Sequence, residues 1–160
     1  MKICKFFTIQ KELVDHIVID ESLSEYKLFA RKHLQLHIKM SDLANETKCS
    51  TYWIDNNENN FDKDSVLEKY IICLQQIIVL GIDNKYDDLD EINVEPSEYC
   101  LSDQFLNLYI DINDMIISPS RDHYITLLED YFSLSFNLGL TFDEILDKFS
   151  KINSNLKIAL

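Results

Sequence analysis

Glycine and proline are scarce in this chain, which contains only two of each among its 160 residues. Sheets built from hairpins or from βαβ crossovers normally use several glycines at their turns. Helices need few of either residue, and apolar side chains recur along most of the chain at spacings of three and four. We therefore predict an all-α bundle of about six helices, forming a single domain over residues 1–160.

Polar or proline-containing breaks divide this apolar pattern into segments. The predicted helices cover 5–18, 24–48, 65–80, 101–117, 122–138 and a last stretch that begins near 141. The asparagine-rich stretch 56–60 is expected to be a solvated loop. The acidic stretch 83–99 is expected to be one too, although its carboxylates could instead gather a cation.

Two motifs and two glycines mark the expected helix ends. An S-x-x-E motif at Ser65 and a T-x-x-E motif at Thr141 have the form of a capping box, which satisfies free N–H groups where a helix begins. Gly81 and Gly139 follow the third and fifth predicted helices. We expect both glycines to end helices by adopting the left-handed conformation.

The charge balance excludes several classes of partner. Asp and Glu number 28 against 15 Lys and Arg, for a net charge of -13, so the surface repels phosphate backbones and direct nucleic-acid binding is not expected. The longest apolar run, 71–80, is shorter than the ~20 residues of a membrane span, and no signal peptide is expected. Four isolated cysteines without a C-x-x-C pair indicate reduced thiols and a cytoplasmic protein.

Carboxylates on the second and third predicted helices form a candidate metal site. They are Asp42, Glu46, Asp64 and Glu68. Residues three or four apart share a helix face, and four carboxylates from facing helices suit Mg²⁺ with a bound pyrophosphate. The same residues placed singly would only solvate the helix surfaces, and both interpretations stay open.

Three other side chains have a possible role in chemistry. His33 and His37 are four residues apart, so one helix could offer both rings to Zn²⁺, but nothing nearby completes the ligand set and ordinary packing is the alternative. Trp53 could be a core residue or a platform for base stacking. Neither a nucleophile elbow nor a glycine-rich phosphate loop is present.

One long segment and four shorter ones resemble the dimeric, all-α dUTPase family, which belongs with the MazG-like nucleoside triphosphate pyrophosphatases. The long segment is LQLHIKMSDLANETKCSTYW at 34–53, and the shorter ones are IQKEL at 9–13, LEKY at 67–70, LGI at 80–82 and LGLTFDEI at 138–145. The likeness follows the family's order along nearly the whole chain. It implies a helical homodimer.

The resemblance also implies a reaction and its ligands. In the family, E-x-x-E and E-x-x-D on two helices bind Mg²⁺, which activates water to cleave dUTP into dUMP and pyrophosphate. The matching positions here are Lys39, Asp42, Lys69 and Ile72, of which only one has a carboxylate. We expect both lysines to point inward, where either could pair with Asp42.

The nucleotide side of the family site is better preserved. Gln10 and Asn45 match family residues that face the nucleotide, Trp53 is retained, and Gln75 replaces a histidine. A family lysine corresponds to Thr51, and the basic C-terminal tail is reduced to 151–155. The resemblance therefore implies a uracil pocket that persists in part, although each polar residue could equally be a surface amide.

Three functional hypotheses follow. The first is a degenerate dUTPase-like protein that binds a nucleotide, dUTP or dUMP, or a protein partner such as a regulator, and needs no cofactor. The second is an active nucleotide pyrophosphatase whose Mg²⁺ is held by the displaced set Asp42, Glu46, Asp64 and Glu68, one turn from the family position. The third is a helical interaction protein without a nucleotide role, since fold likeness alone does not establish function.

Overall fold

Six α-helices make up the regular structure of the described part of the chain. The computed structural model describes residues 1–53 and 61–159. The helices are α1 (Cys4–Val14), α2 (Glu25–Glu46), α3 (Lys63–Asp83), α4 (Leu101–Ile117), α5 (Arg121–Asn137) and α6 (Phe142–Ala159). The prediction of an all-α bundle is confirmed. The loop expected at 56–60 lies outside the described residues.

The third helix, α3, lies at the centre of the bundle. It packs against α1, α2 and α6, and apolar residues on all its faces are buried, as expected for an internal helix. Within the described residues, α3 is the one helix whose length and composition would also allow it to cross a membrane, and most of it is buried inside the bundle.

Hydrogen bonds from three buried tyrosines connect α3 and α5. Tyr70 donates its hydroxyl to the carbonyl of Tyr131 at 3.1 Å, and Tyr131 donates to the carbonyl of Tyr70 at 2.7 Å. Tyr124 donates to the carbonyl of Ile77 at 3.1 Å. Burial raises the pKa of each of these hydroxyls well above its ordinary value. The pairing of early α3 with late α5 makes the two helices antiparallel.

Gly81 has a different role from the one predicted. It lies inside α3, which continues to Asp83, so the expectation that it ends the helix is wrong. A Cβ at this position would lie 2.1 Å from the hydroxyl oxygen of Tyr124, so the glycine provides space for the Tyr124 side chain. Gly139 has φ +66° after α5, and the prediction that it ends a helix is confirmed.

One predicted capping box is confirmed and the other is wrong. Thr141 and Glu144 bond reciprocally: the backbone N–H of Thr141 donates to the Glu144 carboxylate at 2.8 Å, and the N–H of Glu144 donates to the Thr141 hydroxyl at 3.3 Å. By contrast, α3 begins at Lys63, before Ser65, because the carboxylate of Asp62 already caps it. Ser65 therefore lies in the first turn.

The N-terminal helix is shorter than predicted. α1 ends at Val14 because the chain then tightens into turns, with the N–H of Ile17 bonded to the carbonyl of Val14. Ile17 and Val18 continue the apolar spacing on which the longer prediction rested, but both are exposed.

The acidic connection between α3 and α4 is only partly the solvated loop that we expected. The N–H of Ile3 donates to the carbonyl of Asp90 at 2.8 Å, so the connection is bonded to the N-terminal segment. Leu89 and Ile92 are buried against the core. The connection thus closes one side of the bundle and presents its carboxylates outward.

Replacing Gly81 by alanine is expected to destabilise the fold by roughly 1–3 kcal/mol, because the new Cβ displaces Tyr124 from its bond to Ile77. This cost exceeds the ~1 kcal/mol that alanine gains in helix propensity. Urea unfolding measures the difference. The matched control is Gly139→Asn, which meets no atom within 4 Å and should cost less. Equal effects of the two changes would contradict this assignment.

Candidate functional site

The second and third helices bring together the faces that carry the four family-matched positions. Lys32 forms an ion pair with Asp83 at 2.5 Å near one end, and Lys39 donates to the side-chain oxygen of Gln76 at 3.4 Å further along. Because later residues of α2 meet earlier residues of α3, the two helices run antiparallel. Gln76 also donates to the carbonyl of Lys32 at 3.0 Å, which fixes its side chain between them.

Lys39 is a half-buried cation on this face. Burial lowers the pKa of its ammonium group, and its hydrogen-bond acceptor is a neutral amide. The nearby thiol of Cys73 is fully buried, and burial raises its pKa to about 12, so it provides no negative charge at neutral pH. Asp42 is exposed and forms no ion pair with Lys39 or Lys69 among the described residues, so the pairing that the sequence allowed is not formed.

The other matched positions offer no metal ligand. Lys69 and Ile72 are half-buried on α3, so a second ammonium and an alkyl group occupy positions where the resemblance implies carboxylates. Mg²⁺ is bound through oxygen ligands, usually including carboxylates. One exposed carboxylate, Asp42, beside two ammonium-bearing positions does not fit that ion.

The displaced set of carboxylates is not assembled either. Asp42, Asp64 and Glu68 are exposed and Glu46 is half-buried. Within residues 1–53 and 61–159, no three His, Cys, Asp or Glu side chains lie together in a way that could hold a metal ion. The helices do run antiparallel, as the hypothesis required, but their carboxylates remain dispersed.

The paired histidines of α2 are held by ordinary packing contacts. His33 is buried with Nδ1 against the carbonyl of Phe29 at 2.9 Å, and burial lowers the pKa of its ring. His37 stacks on Tyr109 with ring centroids 5.9 Å apart. The two rings thus have separate environments, and the described residues contain no third ligand for them.

Two of the predicted nucleotide residues are buried amides with free hydrogen-bonding atoms. Gln10 on α1 is 2% exposed and Gln75 on α3 is 7% exposed. Neither Oε1 of Gln10 nor Nε2 of Gln75 has a hydrogen-bond partner among the described residues. A buried polar atom without a partner costs about 1–3 kcal/mol. One acceptor and one donor of these two amides are therefore unpaired in the described part of the chain.

The last helix contributes a third amide of this kind, which the sequence analysis did not identify as a site residue. Asn153 is 3% exposed, its Nδ2 donates to the carbonyl of Phe149 at 2.9 Å, and its Oδ1 has no partner in the described part of the chain. α6 packs against both α1 and α3. The sequence could have indicated this residue, because Asn153 lies four residues after Phe149 and therefore shares its helix face.

The remaining two nucleotide candidates lie on the surface. Asn45 lines a groove of about 410 Å³ between α2 and α4, together with Cys49 and Phe105. Trp53 follows α2, is 61% exposed and packs edge-to-face against Tyr52 at 5.2 Å. The four predicted residues therefore divide into a buried pair and an exposed pair.

Comparison with known proteins gives one match. A family model described as dUTPase matches residues 2–157, which include the matched face of α2 and α3 and the buried amides of α1, α3 and α6. No curated protein and no solved structure matches the chain.

Replacing Lys39 by methionine is expected to raise the melting temperature at pH 7, because methionine keeps the packing of the stem and removes a desolvated charge whose bond to Gln76, at 3.4 Å, is long and therefore weak. The folded-state pKa of Lys39 is depressed, so the unfolded chain binds more protons and the wild type gains stability as pH rises toward about 10.5. The advantage of the variant should therefore shrink between pH 7 and pH 10.

Thermal melts at the two pH values measure this difference. The control is Lys27→Met on the exposed surface of the same helix, which should show no such pH-dependent advantage. A constant difference in melting temperature, or a less stable Lys39→Met variant at pH 7, would contradict the assignment.

Proposed function

Because this chain belongs to the dUTPase family, we propose that it binds a uracil nucleotide without hydrolysing dUTP efficiently. The observation that carries the proposal is the half-buried Lys39, which bonds to Gln76 on the face that the resemblance assigns to metal ligands. Hydrolysis in the family relies on divalent ions that neutralise phosphate charge and lower the pKa of the attacking water. An ammonium group can offset the charge of a phosphate, but it does not activate water in this way.

The cationic face supports retention of phosphate binding. Lysine is a common ligand of phosphate groups, to which it contributes a compact positive charge with three donors. Lys39 and Lys69 supply two such groups from facing helices. In this proposal they contact the phosphates directly and no metal ion takes part.

The buried amides support recognition of a base. A uracil ring presents an N–H donor between two carbonyl acceptors. The free acceptor of Gln10 and the free donor of Gln75 complement those two kinds of group, and each would lose its desolvation penalty on binding. The amides of α1 and α3 thus suit an imide better than an apolar ligand.

A protein partner is the second candidate function, and the exposed apolar residues of α4 favour it. Leu106, Ile110 and Ile117 are 62%, 57% and 81% exposed, and Leu106 also lines the groove beside Asn45. The family resemblance implies that one such partner is a second copy of this chain. Light scattering at micromolar concentration tests this, since a monomer mass would contradict the homodimer.

Pyrophosphate release from dUTP tests the loss of hydrolysis. We expect no release above a metal-free control with Mg²⁺ or Mn²⁺, even at high protein concentration. Robust metal-dependent release would overturn the proposal. The double substitution Asp42→Asn with Glu68→Gln would then be decisive, because loss of that activity would assign it to the displaced carboxylates.

Calorimetric titration with dUMP and with a non-hydrolysable dUTP analogue tests binding. We expect saturable heat from the wild type, with affinity reduced roughly 5- to 100-fold in Gln10→Leu and in Gln75→Leu, the equivalent of one lost buried hydrogen bond. Gln104→Leu is the matched control, because Gln104 is equally buried and also has a free Oε1 but lies on α4. Absence of binding by the wild type would leave the protein-partner function.

A further inference from the structure

A line of polar side chains runs along the interface between α4 and α5, away from the face described above. Gln104, Asn107 and Asp111 follow one another on α4 at helical spacing, and Asp130 and Ser133 lie on α5. At one end of this line the two helices and the preceding loop enclose a cavity of about 120 Å³. Its lining consists of Ser97, Tyr99, Gln104, Asn107, Asp130 and Ser133.

Gln104 lines the cavity and has an unpaired acceptor. It is only 5% exposed, and its Nε2 donates to the carbonyl of Tyr99 at 2.8 Å. Because that bond defines which end of the amide is nitrogen, the other end is the oxygen, and this Oε1 has no partner among the described residues. Leaving it unpaired costs about 1–3 kcal/mol, which an occupant of the cavity that donates a hydrogen bond would recover.

Other lining groups also accept hydrogen bonds. The hydroxyl of Ser133 donates to the carbonyl of Glu95 at 2.6 Å, so its oxygen retains only acceptor capacity. Asp130 adds an exposed carboxylate. These acceptors favour an occupant that brings hydrogen-bond donors, and a positive charge would favour it further.

A second carboxyl strengthens the negative charge. Asp111 lies within hydrogen-bond reach of Asp130 across the two helices, and its Oδ2 is buried with no hydrogen-bond partner in the described part of the chain. Burial, followed by the charge of Asp130, raises the pKa of Asp111 to about 7. The charge of Asp114 also raises this pKa, and the charge of His123 lowers it. Two adjacent carboxyls hold either a shared proton or a cation.

We propose that this cavity binds the primary ammonium group of a small aliphatic amine. An ammonium has three N–H donors, which match Oε1 of Gln104, the carboxylate of Asp130 and the oxygen of Ser133. A divalent metal fits less well, because the described residues gather no set of three anionic or imidazole ligands here. The cavity has the volume of about four water molecules, enough for an ammonium and a short alkyl stem.

Titration of the full chain with n-butylamine hydrochloride at pH 7.5 and constant ionic strength tests the proposal. We expect saturable heat in the millimolar range and a rise in melting temperature. Tetramethylammonium has the same charge without N–H donors and should give neither. An equal response to the two cations would overturn the proposal, because it would show charge screening instead of a donor-specific site.

Variants locate the binding. Asp130→Asn changes an exposed side chain and should weaken butylamine binding at least tenfold, and Gln104→Leu should weaken it similarly. The control for charge is Asp103→Asn, which changes an exposed aspartate on α4 and should bind butylamine like the wild type. Gln10→Leu should also be unaffected, which separates this site from nucleotide binding.

Unchanged binding in both Asp130→Asn and Gln104→Leu would overturn the assignment of the site. Parallel titrations with CaCl₂ and MgCl₂ complete the test. Tighter saturation by either metal, lost in Asp130→Asn, would contradict the ammonium proposal and identify a metal site.

Discussion

The reciprocal bonds between Tyr70 and Tyr131 fix the crossing of α3 and α5, on which the arrangement of the bundle depends. Each buried hydroxyl would cost free energy without a partner, and each finds one in the other residue's backbone. Further along the same two helices, the hydroxyl of Tyr124 donates to the carbonyl of Ile77, and Gly81 leaves space for the Tyr124 ring. With α3 held in this way, α2 packs along another side of it and places Lys39 opposite α3.

That placement is the basis for our proposal that this chain keeps the family's fold without its hydrolytic chemistry. The helices that carry metal ligands in the family are present, antiparallel and in contact, but Lys39 donates to Gln76 between them. In the function that we propose, the scaffold persists while the charges that serve catalysis in the family are replaced. Within the described residues, Gln10, Gln75 and Asn153 each bury an unpaired polar atom, which a purely structural core would not require.

Local patterns were sufficient to predict the six helices, because apolar spacing and capping motifs act within a few turns. They failed where a distant residue decides. Gly81 follows an apolar run like a helix stop, and only the packing of Tyr124 shows that it provides space. The start of α3 was misplaced for a local reason, because Asp62, three residues before Ser65, already accepts a hydrogen bond from the N–H of Asp64. Asp111 and Asp130 are far apart in the sequence, and only the packing of α4 against α5 brings their carboxyl groups together.

Binding of Mn²⁺ followed by electron paramagnetic resonance, with and without a non-hydrolysable dUTP analogue, tests the central claim most directly. The account predicts no protein-bound Mn²⁺ for the wild type. It predicts that the triple substitution Lys39→Glu, Lys69→Glu and Ile72→Asp, which with Asp42 restores the family's carboxylates, gains a bound ion. Tight Mn²⁺ binding by the wild type that is lost in Asp42→Asn would contradict it, since the natural carboxylates would then hold the metal.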